Sequence, residues 1–170
     1  MEVTTKFTIA SEEGIKNFFF LRNTRISAMY AGSVEEAKLK EYREKLSNHR
    51  EAVNELNNLT TQMITVFVKD VPAGYALLKQ STAPEALKGK KASHLDAFYI
   101  LPEYDGESVR DALWKKCRSV TRMSDALWIE MLQTDPLLPY LQSCGFTISD
   151  SAEMKPFAKA SYILVYENND

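Results

Sequence analysis

Apolar positions along the chain change their spacing several times, and each change marks an element. Thr5–Ala10 alternates polar and apolar residues as a strand does. From Ser11, a plausible N-cap, Ile15, Phe18, Phe19, Ile26 and Met29 recur near a period of 3.6, which predicts a helix. A second helix is predicted from Ser33-Val-Glu-Glu36, a capping box in which serine and glutamate satisfy each other's free amides. Its stripe of Leu39, Tyr42, Leu46, His49, Val53 and Leu56 runs without a break, with Lys38, Glu41, Lys45 and Glu55 on the other face. Met63–Lys69 and Gly74–Gln80 form a predicted hairpin, with Asp70–Ala73 as the connection because proline favours turns and cannot donate to a central ladder. Ser81–Lys91, carrying Pro84, Gly89 and three lysines, is expected to be a mobile loop.

From Ala92 strand and helix alternate. Ala92–Leu101 is a predicted strand, Val109–Met123 a helix, Ala126–Gln133 a strand and Pro136–Cys144 a short helix. Strands near Phe146–Asp150 and Ser161–Tyr166 follow, and Glu167–Asp170 is expected to fray. Asp135 can cap the short helix, Pro136 suits its first position, and Pro139 inside it is expected to distort it. Tyr162, Leu164 and Tyr166 on the last strand either pair across a two-fold axis, giving a homodimer, or fill the core. The pattern is α/β, a single domain over residues 1–170.

Composition narrows the function classes. A formal net charge of −2 gives no global attraction to nucleic acid. No apolar run is long enough to span a bilayer and the first residues lack the pattern of a signal peptide, so neither membrane nor nucleic-acid partners are expected and the cytoplasm is the expected location. Cys117 and Cys144 sit among apolar neighbours on predicted helices and are expected to be buried free thiols. No metal-ligand cluster or nucleophile triad stands out.

The segment Leu95–Arg110, LDAFYILPEYDGESVR, carries the most chemistry, because an apolar strand passes through a glycine into an amphipathic helix. The first turn of a helix holds N–H groups without internal partners, and aligned peptide dipoles add roughly half a positive charge there. Such a junction can bind phosphate. On Phe98–Tyr104 (FYILPEY), Leu127–Leu132 (LWIEML), the Cys144-Gly145-Phe146 turn and the weaker hairpin at residues 64–78, the chain resembles the GNAT superfamily of N-acetyltransferases. That resemblance implies a mixed sheet of about seven strands flanked by four helices. It also implies acetyl-CoA as co-substrate and transfer of an acetyl group to a primary amine of a small molecule or peptide.

The resemblance also places a site. The acetyl thioester lies against the backbone of Phe98, Tyr99 and Ile100, with the Ile100 amide as the first candidate for polarising its carbonyl. Asp96 matches the position of a general base; the alternative is an ion pair with a lysine from the preceding loop or a place in a solvated groove. His94 points the same way by strand alternation, whereas His49, on an apolar stripe, is assigned no catalysis. The pyrophosphate loop corresponds to Asp105, Gly106, Glu107, Ser108, Val109 and Arg110, where the family reads Gln/Arg-x-x-Gly-x-Gly/Ala, so none of the three signature positions matches. Thr134 and Leu141 stand where the family has a cofactor-contacting asparagine and a proton-donating tyrosine; Leu138 belongs to the same cofactor wall, and the neighbouring Tyr140 is the candidate acid. Arg110, Lys115 and Lys116 could turn towards the phosphates, while Asp105 and Glu107 repel them. A GNAT-fold binding or regulatory module without catalysis is therefore the alternative function.

Overall fold

The computed structural model describes residues 2–168. Helix α1 (Glu12–Tyr30) starts where the capping serine places it: Ser11 Oγ accepts from the Gly14 N–H at 3.0 Å, and Glu12 and Glu13 complement the dipole in its first turn. The next helix differs from its expected form. It is two helices, α2 (Glu36–Leu46) and α3 (His49–Asn57). Ser33 does not cap; its hydroxyl donates back to the Tyr30 carbonyl at 3.2 Å, and Glu36 pairs with Arg43 at 2.7 Å. The break falls at Ser47 and Asn48, whose side chains compete with helical backbone bonding. Ser47 Oγ donates to the Arg43 carbonyl at 2.8 Å, and Asn48 Oδ1 accepts from the Glu51 N–H at 3.0 Å, which starts a new helix. His49 thereby leaves the apolar stripe and is exposed.

Seven strands form one sheet in the order β1-β2-β3-β4-β5-β7-β6. They are β1 (Val3–Phe7), β2 (Gln62–Val68), β3 (Val71–Lys79), β4 (Ala92–Ile100), β5 (Ala126–Leu132), β6 (Thr147–Met154) and β7 (Lys159–Glu167). Only β4 and β5 run parallel. The β2–β3 connection is the pair Lys69-Asp70, with φ of 49° and 65°, the double left-handed geometry that suits the strand twist. Val71–Ala73 therefore belong to β3, and Pro72 is tolerated because the β2–β3 ladder is already irregular at Val66/Phe67. Strand β7 lies inside the sheet with Leu164 fully buried, so Tyr162, Leu164 and Tyr166 fill the core and the edge strand is β6. Glu167 ends β7 instead of fraying and pairs with Lys90, and the Asn168 N–H donates to the Asp125 carbonyl; Asn169 and Asp170, in the same expected tail, lie outside the described residues.

Helices α4 (Glu107–Val120) and α5 (Leu138–Ser143) cover one face, where Val109, Leu113, Trp114, Leu141 and Phe146 close the larger core. Helices α1, α2 and α3 lie on the other, so five helices stand where four are expected. Helix α4 stops before Met123, where Thr121 Oγ1 donates to the Cys117 carbonyl at 2.7 Å. Pro139 falls in the first turn of α5, where its missing N–H removes no helical bond, and Asp135 Oδ1 accepts from Leu137 N–H at 2.9 Å just before it. The segment 81–91 contains a 3₁₀ turn, Glu85–Leu87, that seats the Leu87 side chain in the interior. Cys117 is buried, Cys144 half-buried, and both are free.

Candidate active site

The parallel pairing between β4 and β5 is short. It joins Ala92–His94 to Ala126–Trp128 and then stops, while β4 stays on β3 and β5 stays on β7. Beyond His94 and Trp128 the two inner strands part, leaving backbone edges that face a gap. Leu101 N–H donates to the Ala73 carbonyl at 2.8 Å. By strand alternation Tyr99, opposite Tyr75, bonds towards β3, whereas Ile100 points its N–H and C=O into the gap.

A register shift at Leu77/Leu78 leaves Asp96 without a partner opposite on β3. The bulge changes which face each residue takes. His94 and Asp96 line a cavity on the α1 side, Ala97, Tyr99 and Leu101 pack on that same side, and Phe98 and Ile100 turn to the α4 side. One short stretch of β4 thus offers a carboxylate to one face and an open backbone edge to the gap.

The cavity on the α1 side has a volume of about 430 Å³ and is lined from α1, α2, α3 and the middle strands. Lys79 Nζ sits 2.5 Å from Glu55 Oε1 and 3.9 Å from Asp96 Oδ2. Burial works against the Lys79 charge, but Asp96 and Glu55 outweigh it and its pKa is raised. His94 Nδ1 is 4.0 Å from Asp96 Oδ1 and hydrogen-bonded to Ser81 Oγ at 2.9 Å, and its ring lies flat on Trp128 with centroids 3.8 Å apart. Burial lowers the His94 pKa against the opposing pull of Asp96, so the imidazole is neutral at pH 7. The partner of Asp96 is thus a lysine, but from β3 and not from the preceding loop.

Helices α4 and α5 meet on the opposite face of the sheet, where Tyr140 contacts Asp111 and Arg110. Gly106 provides no side-chain cap to α4, and a Cβ placed there would meet nothing within 4 Å, so the first amides of the helix are approachable. Arg110, however, is held in a fork by Asp105, with Nε 2.6 Å from Oδ1 and Nη2 3.0 Å from Oδ2. Its guanidinium lies 5.7 Å from the Tyr140 ring centroid. Tyr140 is stacked beside Phe98 at 6.4 Å and its hydroxyl donates to Asp111 at 2.7 Å. Burial, then the bond to Asp111, raises the Tyr140 pKa strongly.

Of the residues expected at the site, Phe98, Tyr140, Arg110 and Asp105 come together where α4 meets α5, Ile100 and Val109 lie in the core of that face, and Asp96 stands on the other face of the sheet. The side chains of Val109 and Leu141 are fully buried in the core, so Val109 offers only its amide, while Leu138 is half-buried and Thr134 exposed. Lys115 and Lys116 do not reach the loop: Lys116 Nζ lies over the Phe7 ring at 4.8 Å, and Lys115 lines a separate cleft with Arg118 and Tyr166. Sequence reasoning missed Arg22, Arg25, Tyr75 and Trp128, all of which line the cavity, and the Tyr99 hydroxyl, which is buried without a partner. Arg22 and Arg25 interrupt an otherwise apolar helix face, the one signal that could have found them.

The seven-stranded mixed sheet flanked by helices is a GNAT-like fold. No protein-family model and no curated protein sequence matches the chain. Among solved structures it is similar to the PaiA N-acetyltransferase of Thermoplasma acidophilum in complex with coenzyme A, with a TM-score of 0.77 and 14% identity over 98% of this chain and 99% of that one. A probable acetyltransferase from Staphylococcus epidermidis matches with a TM-score of 0.72 and 13% identity over 99% and 100% of the two chains. The ribosomal-protein-S18-alanine N-acetyltransferase of Escherichia coli gives 0.66 and 11% over 99% and 96%. At these identities the likeness establishes the fold. Among the described residues no helix is long and apolar enough to cross a membrane, and no group of His, Cys, Asp and Glu could hold a metal ion.

Proposed function

We propose that the chain is a cytoplasmic N-acetyltransferase that uses acetyl-CoA to acetylate a primary amine. The observation that carries this reading is the parting of β4 from β5 with the Ile100 N–H turned into the gap, next to a bulge that sends Asp96 into a charged cavity. The free cysteines fit a reducing compartment. The backbone at Phe98–Ile100 and the opening amides of α4 at Glu107, Ser108 and Val109 would hold the cofactor, which supplies an activated acetyl group. Arg110 would meet the pyrophosphate once it leaves Asp105.

In this reading Asp96 takes a proton from the incoming ammonium, directly or through water, so that the amine nitrogen can attack the thioester carbonyl. The Ile100 N–H stabilises the oxyanion, an interaction of the kind that contributes about 3 to 4 kcal/mol. Collapse would break the C–S bond while the nitrogen gives its second proton to water, leaving an amide and a thiolate. We assign the proton taken by the thiolate to solvent, because the Tyr140 hydroxyl is engaged by Asp111 and its raised pKa makes it a poor acid.

Saturation with acetyl-CoA at one hundred times its dissociation constant adds about 2.7 kcal/mol of stability. For a chain of this size that is a rise of about 5 to 10 °C in melting temperature. No shift with either acetyl-CoA or CoA would overturn the reading. The Asp105–Arg110 pair at the start of α4 and the Tyr140–Asp111 pair between α5 and α4 favour the second reading, a GNAT-fold binding or regulatory module, which predicts that null result.

A further inference from the structure

Two arginines one turn apart on α1 line the cavity, and neither has a carboxylate within ion-pair distance among the described residues. Arg25 is partly buried, and its one hydrogen bond is a long contact from Nη1 to the Tyr75 hydroxyl at 3.5 Å. Arg22 spends Nη2 on the Leu46 carbonyl at 2.6 Å and leaves its Nε buried without a partner. Across the same cavity the Trp128 Nε1 donor is also buried and unpaired. A buried donor without an acceptor costs about 1–3 kcal/mol, more when it is charged, so two such groups around one cavity, with Arg25 held there by a single long contact, call for an acceptor from outside. Of the carboxylates lining the cavity, Glu55 is committed to Lys79, Asp96 faces Lys79 and His94, and Glu130 accepts from the Ser161 hydroxyl at 2.6 Å. Among the described residues Glu51 forms no ion pair with either arginine, while Asp96 and Asp135 attract Arg25 from beyond ion-pair distance.

We propose that Arg25, supported by Arg22, is the anchor for a carboxylate on the acceptor, so that the substrate of this site is a small amine that also carries a carboxylate, such as a free amino acid. The inference rests on the acetyltransferase reading for the fate of the amine, which Asp96 meets on β4 while the carboxylate lies towards α1. The cavity volume of about 430 Å³ accommodates a molecule of that size. Guanidinium matches carboxylate with two parallel hydrogen bonds, which an ammonium at this position could not supply. Tyr30, Tyr42 and Met29 on the cavity wall suit an apolar or aromatic side chain on the amino acid.

Matched pairs of amines test this: L-phenylalanine against phenethylamine, L-tyrosine against tyramine, and L-lysine against cadaverine. Each is titrated into the full chain by calorimetry, with and without CoA, and each is assayed for thiol release from acetyl-CoA. The carboxylate-bearing member of at least one pair should bind tenfold or more tightly than its decarboxylated partner, and Arg25→Met should bring that ratio close to one. Arg25→Lys, which keeps the charge but loses the fork, should fall between, and the wild-type pairs stand as a test even if Arg25→Met does not fold. Equal or tighter binding of the decarboxylated amines, or no binding by any amino acid, would overturn the proposal. Binding without thiol release keeps the anchor and sinks the transferase reading; release from all amines alike keeps transfer and sinks the anchor.

Discussion

In the proposed acetyltransferase the ion pair between Asp105 and Arg110 would set the affinity of the start of α4 for phosphate. Its side chains are 32% and 23% exposed for Arg110 and Asp105 respectively, so the pair is surface-like and worth about 0.5–1 kcal/mol. The Asp105 carboxylate also repels each phosphate charge placed 4 Å away by about 1 kcal/mol in water. Asp105→Asn removes the repulsion and loosens Arg110, a combined gain of about 1.5–2 kcal/mol, or roughly 10- to 30-fold tighter CoA binding. Calorimetric titration of CoA into both proteins at low salt reads the difference directly. At high salt the gain should shrink to a few-fold because screening shortens the reach of the carboxylate. Adding Arg110→Met to Asp105→Asn should cut the gain to the part that comes from the lost repulsion, about 1 kcal/mol or roughly fivefold. Unchanged or weakened CoA binding in Asp105→Asn would refute this electrostatic account of the loop.

Asp96→Asn should lower turnover at neutral pH by about a hundredfold or more while leaving the CoA dissociation constant within twofold, measured by thiol release and calorimetry; unaltered turnover removes Asp96 from the mechanism. Tyr140→Phe should keep kcat within about threefold and cost about 1 kcal/mol in urea unfolding, because it loses only the bond to Asp111; a hundredfold loss of kcat would restore Tyr140 as the acid. Burial depresses the folded pKa of His94 below the ordinary imidazole value of about 6.5, so the unfolded state takes up the proton first as pH falls and stability is lost below about pH 6.5. The melting temperature should therefore fall between pH 7 and pH 5 by more in the wild type than in His94→Phe, which keeps the stacking on Trp128; parallel pH profiles would contradict the burial argument.

The chain's periodicities made most of the fold legible. Ser11, the strand-helix alternation after Ala92 and the turn at Gly145 all act through local physics, and each lies where its spacing places it. The second helix misled because its apolar stripe continues across Ser47 and Asn48, and periodicity alone does not weigh a mid-helix Asn that can cap the helix after it. Residues 71–73 misled because Pro72 marks a turn in most contexts, whereas here a bulge spares it the hydrogen bond it cannot make. The site was half legible. Asp96 and the Ile100 amide could be placed from strand position, but the bulge that separates Asp96 from the Phe98–Tyr140 stack is a long-range pairing event between β3 and β4. The arginines of α1 were hidden for the same reason: their lack of carboxylate partners is a property of the folded cavity and not of the helix that bears them.

A two-dimensional amide NMR titration of the full chain with acetyl-CoA reports on the gap itself. The transferase account predicts that the Phe98 and Ile100 amides, together with those of Glu107, Ser108 and Val109, shift in a saturable, one-to-one manner. Resonances from β6, the far edge of the sheet, should stay in place. Saturating acetyl-CoA that leaves the Ile100 amide unmoved would contradict it, because no thioester could then be lying between β4 and β5.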